Sequence, residues 1–273
     1  MAITLLTNVT AAPFVEVLID DLIPEAATLT VYRLAAGREF QMRGAVRAAT
    51  AGAFTRIDFE IPFNILVTYR AELFDEAGNS LGFTDSASVT IICADTWMHN
   101  PLNPAGGVKV QLGGDSAAVI RRPTPGVVSR PLGRRVGVVL SEPRHGVVGL
   151  KLDVRTVDDE GADAIQAMCG DLSMPPVVCI RLGSTHQKMR VPQPLFLSVL
   201  DVAEVDINHQ WGGGEISHQV DGDEVDPPAP GLFIPLLTRA DINAFFATRA
   251  AVNAGGLTRL DINRRYDLAG TAG

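Results

Sequence analysis

Lysine is nearly missing from this chain: Lys109, Lys151 and Lys188 are the only three among 23 basic residues, and the rest are arginine. Against them stand 31 acidic residues, for a formal net charge of −8. That balance excludes a dedicated nucleic-acid binder, which presents a dominant basic surface. Cysteine is also scarce. Cys93, Cys169 and Cys179 form no paired framework and no metal-ligand spacing, and each sits in an apolar run that predicts a buried free thiol. Aromatics make up 6% of residues, few for a surface that stacks on sugars. No run approaches the roughly 20 apolar residues of a membrane span. The opening MAITLLTNVTAAPF lacks the basic start and long apolar centre of a secretory peptide, so none is expected.

Catalytic signatures are equally thin. His99, His145, His186, His209 and His218 never fall in HxH, HxxxH or HExxH spacing, the patterns that place two imidazoles on one zinc ion. A shared metal between His209 and His218 is the weaker reading; ordinary loop histidines are the stronger. Asp221, Asp223, Glu224 and Asp226 offer hard oxygen ligands that suit calcium, but their spacing is not that of an EF-hand loop. The Pro-rich continuation to Gly231 reads as a solvated linker. Gly212-Gly213-Gly214 is followed by no Lys-Ser/Thr and opens no helix, so it predicts a flexible tip and not a phosphate cradle. Gly183-Ser184-Thr185-His186 follows a strand without forming the G-x-S-x-G elbow of a nucleophile, and reads as a polar loop. The arginine pairs 121–122, 134–135 and 264–265 could meet phosphate; inter-subunit ion pairs or solvated faces suit an acidic chain better. No catalytic, cofactor-binding or metal site is expected, and no enzyme.

What the sequence does have is β-pattern and turn chemistry: 26 Gly, 17 Pro and 47% hydrophobic residues, which favours many short strands and two ordinary domains. Residues 1–95 contain seven candidate strands, 3–8, 14–20, 28–34, 38–46, 54–60, 66–74 and 83–93, the count of a β-sandwich. In VTYRAELFDEAGNS, Val67, Tyr69, Ala71 and Leu73 share one face, and Gly78-Asn79 turns the chain. This stretch resembles the sixth-strand region of fibronectin type III domains. The core Trp usual in such domains has no match in 14–20, where Phe14, Val15, Val17 and Ile19 must fill the space.

DTWMHNPLNP (95–104) reads as a domain junction stiffened by two X-Pro bonds, with Trp97 packed between the domains. Strands are expected at 108–112 and 117–123. The stretch 133–206 reads as strand, strand, helix, strand, strand. Val136, Val138 and Leu140, then Val148, Leu150, Leu152 and Val154, recur at a spacing of two, as half-buried strands require, with a turn at 142–146. A helix over 159–169 is capped by Asp158 or Asp159 and stopped at Gly170. Strands follow at 177–182 and 194–207. In the last segment Thr-Arg-x-x-[Ile/Val]-Asn recurs from Thr238, Thr248 and Thr258, predicting a helix over 240–254 or a series of helical turns. The expected division is 1–95 sandwich, 96–237 second β-domain and 238–273 helical arm.

The order of these features resembles the minor tail proteins of long-tailed bacteriophages of actinobacteria, akin to distal tail proteins. It is carried by Tyr69–Asn79, by Trp97 with Asn100-Pro101 and Asn103-Pro104, by Gly133-Arg134-Arg135, Arg144-His145-Gly146 and Leu150 with the helix, and by the Thr-Arg repeats. Gly137 stands where the family is expected to carry proline, and Arg239, Arg249 and Arg259 replace an aromatic of the repeat. The resemblance implies a mainly β chain: a fibronectin III-like sandwich, a β-barrel-like domain of distal-tail type with an inserted helix, and a helical arm. It further implies a homo-oligomeric ring, hexameric or trimeric, in the virion tail tip, assembled in the host cytoplasm. The ring would join the tail tube protein to the tip or baseplate hub proteins, without membrane, cofactor or specific nucleic-acid binding, although the genome passes through it. The alternative is an accessory adhesin that binds host glycan through the sandwich or the Trp211 loop.

Overall fold

The protein is mainly β, as its periodicity predicts. The computed structural model describes residues 2–9, 12–170, 174–229, 239–246 and 248. The chain divides into two compact units, Met1–Gly231 and Leu232–Gly273.

The first unit opens with β1 (Ile3–Asn8), β2 (Phe14–Ile19), β3 (Thr28–Ala35), β4 (Arg38–Gln41), β5 (Ala48–Ala49), β6 (Phe54–Asp58), β7 (Val67–Phe74), β8 (Ser80–Phe83) and β9 (Ala87–Val89). One sheet runs β1-β2-β6; the other runs β4-β3-β7-β8, with β5 added to β3 and β9 to β7. The two share one core. Val15, Val17 and Ile19 of β2 meet Leu29, Val31, Val67, Tyr69, Ala71 and Leu73 of the facing sheet, so the sandwich forms where both sheets turn their apolar alternation inward. Phe14 stays half-buried and packs on Phe59, with 5.2 Å between ring centroids. The expected strands 38–46 and 83–93 are each cut short. Met42 leaves the ladder to enter the core, and residues between β8 and β9 break the second run.

A second core follows, built on β10 (Thr96–Asn100), β11 (Asn103–Leu112), β12 (Gly126–Ser129), β13 (Val138–Ser141), β14 (Leu150–Thr156), α1 (Asp159–Met168), β15 (Val177–Arg181), β16 (Leu195–Ser198), β17 (Asp201–Asp206) and β18 (Ile216–Gly222). Seven of the strands form one sheet in the order β16-β15-β10-β11-β14-β18-β17. Its two edges are consecutive in sequence. Val225 N–H donates to the Phe196 carbonyl at 3.0 Å and Ser198 N–H to the Asp223 carbonyl at 2.9 Å, so the sheet curls back on itself there. Gly222 permits this crossing, because a Cβ would overlap the Ser198 carbonyl.

Helix α1 forms as its sequence requires. Asp158 accepts from Gly161 N–H at 2.8 Å, and Ala162, Ile165 and Met168 turn to the core. Gly170 ends it at φ +102°, a left-handed conformation that a side chain resists. Asn100 donates to the carbonyls of Met168 and Pro175 and ties the helix end to β10.

The stretch 95–104, expected as a stiff domain junction, is the β10–β11 hairpin, and Trp97 of β10 packs on the sandwich core. Three expectations are corrected. Residues 117–123 form a turn and one bridge, Arg121 to Val148: Ala118 N–H closes a turn on the Asp115 carbonyl, while Ala117 N–H donates to the Lys151 carbonyl of β14. The run 194–207 is two strands broken at Val199-Leu200, since it serves both sheet edges. Finally, β13 does not pair with β14: β13 pairs with β12, and β14 with β11 and β18. In the second unit, α2 covers Arg239–Phe245. The run GLFIPLL (231–237), whose sequence suggests a short apolar strand or a docking segment, and the repeats from Arg249 onward, with Arg259 and the pair 264–265, lie outside the described residues.

Candidate assembly surface

The ribbon β12–β13 is the feature that the fold leaves unexplained. Among the described residues it is a two-stranded sheet bonded to no other strand. Its register pairs Val127 with Leu140, Val128 with Val139, and Ser129 with Val138. Residues paired across a ladder share a face, so Val127, Val138 and Leu140 lie on one side and Val128 and Val139 on the other. Both sides are therefore apolar, and both are exposed: Val127 is 65% and Val139 67% accessible, and Leu132 at the tip is fully so. The half-burial expected of Val136, Val138 and Leu140 does not occur, because no element among the described residues covers them. A shallow recess at the base is lined by Pro125, Gly126, Val127, Leu140, Ser141 and Glu142.

The ribbon is held as an arm. Glu142 N–H donates to Pro125 O, His145 N–H to Pro123 O and Val148 N–H to Arg121 O, all at 2.9 Å. Arg144 Nε adds a bond to the Arg122 carbonyl. Buried Val147 roots the arm in the second core, and Glu224 accepts its N–H at 2.9 Å. At the tip Arg134 N–H bonds to Pro131 O, beside Gly133 at φ +84°. Gly126 is required by close pairing, since a Cβ would lie 2.6 Å from the Leu140 carbonyl oxygen.

Charge separates the arm from the body. Between Arg121 and Val148 stand six arginines and one carboxylate, Glu142; the remaining sequence holds 17 basic and 30 acidic residues. No protein-family model, no curated protein and no solved structure matches the chain. The arm must be read from its own chemistry.

A buried polar group of the sandwich lies beside the second core, and further polar contacts cross between the two. Arg33 lies against Asp58 at 2.6 Å and Glu60 at 3.6 Å. Tyr69 donates to Asp58 at 2.8 Å, and Arg43 pairs with Glu60 at 2.7 Å. Burial alone would lower the Arg33 guanidinium; Asp58 and Glu60 outweigh it and hold its pKa above the usual value. Burial and the neighbouring Asp58 charge push the Tyr69 hydroxyl well up. From the second core, Arg181 donates to the Pro13 carbonyl and lies over the Phe63 ring at 4.5 Å. Its burial pulls its pKa down to about 10. His99, buried with both ring nitrogens unpartnered among the described residues, is held well below the ordinary imidazole value by burial and by Arg181, Arg43 and Arg33. Gln187 donates to the Asn64 carbonyl, and Arg38 pairs with Glu224 at 2.9 Å.

The residues that the sequence offers for chemistry are spent on structure. Asp221 pairs with Lys151, Asp223 accepts from Gly149 N–H, and Glu224 bonds Val147 and Arg38. Thus 221–226 is partly strand and partly a clasp on the arm's root, and not a free linker. His209 faces Asp159 and Asp206, while His218 is buried in β18 facing Glu204 at 3.3 Å; the two take different partners. Residues 209–211 form a single 3₁₀ turn ended by Gly212 at φ +80°. Ser184 and Thr185 bond the Cys93 and Ala94 carbonyls, and His186 meets the Thr96 hydroxyl at 2.8 Å. Of the arginine pairs, Arg122 donates to the Arg190 carbonyl, and Arg134 and Arg135 are exposed at the arm's tip. Cys179 is buried, and Cys93 and Cys169 are half-buried; burial raises the Cys169 thiol to about 11. Trp211 stands 82% exposed. Among the described residues no cluster of three His, Cys, Asp or Glu side chains could hold a metal ion, and no helix is long and apolar enough to cross a membrane.

Two features escape a sequence reading. The strand 126–129 is one, although its Gly-Val-Val-Ser mirrors Val-Val-Leu-Ser across the Pro131–Gly133 turn. The buried Arg33–Asp58–Glu60 group is the other, and no local signal marks it.

Proposed function

We propose that this chain is a non-catalytic structural component of a bacteriophage tail that assembles into a ring near the distal end of the tail tube. The observation that carries the reading is the arm 121–148, whose two apolar faces stay exposed and have no cover among the described residues. An isolated two-stranded ribbon is marginal in water, and an exposed apolar surface of this kind marks an interaction site. A compact two-core unit with an uncovered arm suits repeated assembly of identical subunits. The tube and the tip or hub proteins are the partners this role requires, and the virion tail tip is the place. The second β-domain would line the ring and the fibronectin III-like sandwich would project from it. The resemblance in residue order supports the same role.

A second reading has one observation behind it. Trp211 is a large exposed aromatic on a short turn, which suits stacking on a host glycan. It accounts for one side chain and leaves the arm unexplained. Electron microscopy of the purified chain separates the two: annular particles of uniform diameter are expected of the ring, and single compact particles at every concentration would overturn it.

A further inference from the structure

The arm has a counterpart on the same body, at the far end of the same strands. Strand β14 begins at Leu150 beside the arm's root and ends at Thr156 beside α1. Its partner β18 runs back, pairing Thr156 with Ile216 and Leu150 with Gly222. Seven strand residues separate the two ends by about 20 Å.

The far end is acidic. Asp159, Glu160 and Asp163 of α1, Glu204 and Asp206 of β17, and Glu215 are all exposed. Contacts draw them into one surface. His209 lies between Asp159 at 3.3 Å and Asp206 at 3.7 Å, and Gln166 of α1 donates to Glu204 at 2.7 Å. Apolar groups stand among the carboxylates: Val157, Val205 and Trp211 are exposed there. Strand β17 is also an edge, paired on one side with β18 and on the other with no strand of the sheet, so it offers free backbone donors and acceptors.

The two ends are complementary in charge and alike in exposing apolar side chains. We infer that the arm of one copy docks on the α1–β17 end of the next copy, head to tail. The inference rests on the ring reading and names its contact. Pairing of arm with arm would set six arginines against six, which like-charge repulsion disfavours. A contact between different ends is heterologous, and such contacts close into rings when the rotation per subunit permits. The arm supplies apolar burial and positive charge. The acidic end supplies the charge partner and an open strand edge.

The test uses two full-length variants, each checked for an unchanged circular dichroism spectrum and melting. Val128→Asp with Val139→Asp disables the arm; Asp163→Lys with Glu215→Lys disables the acidic end. Each alone is expected to stay monomeric at concentrations where the unaltered chain assembles. Mixed in equal amounts, they retain one good arm and one good end between them, and are expected to form a 1:1 complex that grows no further. Raising salt from about 0.05 to 0.5 M should weaken that complex about tenfold, because the Debye length shrinks. If the acidic-end variant assembles like the unaltered chain, or the mixture stays monomeric, the docking is overturned while the ring stands. An unaltered chain that never assembles removes both.

Discussion

Arg33 and Asp58 show what a buried ion pair does in this molecule. Neither is accessible, and the pair sits where the sandwich meets the second core, so its strength lies in being complete. Removing one member strands a charge away from water. Asp58→Ala should lower the unfolding free energy in urea by about 3–5 kcal/mol; a loss under about 1 kcal/mol would mean that water or Glu60 replaces Asp58 freely. His99 gives the joint a pH dependence. Its folded pKa is depressed, so the unfolded chain takes up the proton first. Stability should therefore be full above the unfolded value of about 6.5 and fall as pH drops below it, by up to about 1.4 kcal/mol per unit until the folded pKa is reached. Of the charges facing it, Arg181, at about 10, and Arg33, held above its usual value, stay protonated across that window. Asp75 and Asp153 are held low by hydrogen bonds and titrate under it. His99→Leu should flatten the slope between pH 4 and 6.5 in urea melts, and an unchanged slope would assign it elsewhere.

At the scale of elements, what the sequence reveals depends on whether a pattern is completed nearby. Helix α1 was legible because its cap, apolar face and terminal glycine are all local. Strands β2 and β7 were legible because alternation inside a sandwich means burial. The same alternation at Val136, Val138 and Leu140 predicted burial and met solvent. Periodicity reports that a strand has an apolar face; it does not report which molecule covers that face. The β10–β11 hairpin was hidden by its prolines, which read as a stiff junction, although Asn100 caps the turn by accepting from Leu102 N–H. The curled sheet edge was hidden because one run, 194–207, serves two edges. The arm's own pairing has a sharp test. Gly126→Val would press a branched side chain on the Leu140 carbonyl. It should abolish assembly in sedimentation runs while thermal melting of the body moves little, since the arm contributes little to either core. Retained assembly would show that the ribbon's register is not what the contact requires.

The unit Met1–Gly231 carries two cores, a basic, apolar arm beside one end of β14 and an acidic surface beside the other. Polar groups that suggest chemistry in the sequence, Asp221, Asp223, Glu224, His186 and His209 among them, hold loops and strands together. What stays unused is surface, and surface is what a subunit of a larger assembly keeps in reserve. The most direct measurement is the mass of the full chain by light scattering across a concentration series at low salt. The account predicts a discrete closed species, three or six times the 29.1 kDa chain, that forms cooperatively and is lost in the Val128→Asp, Val139→Asp variant. A chain that stays monomeric at every concentration would contradict it, and would leave the arm waiting for a different protein.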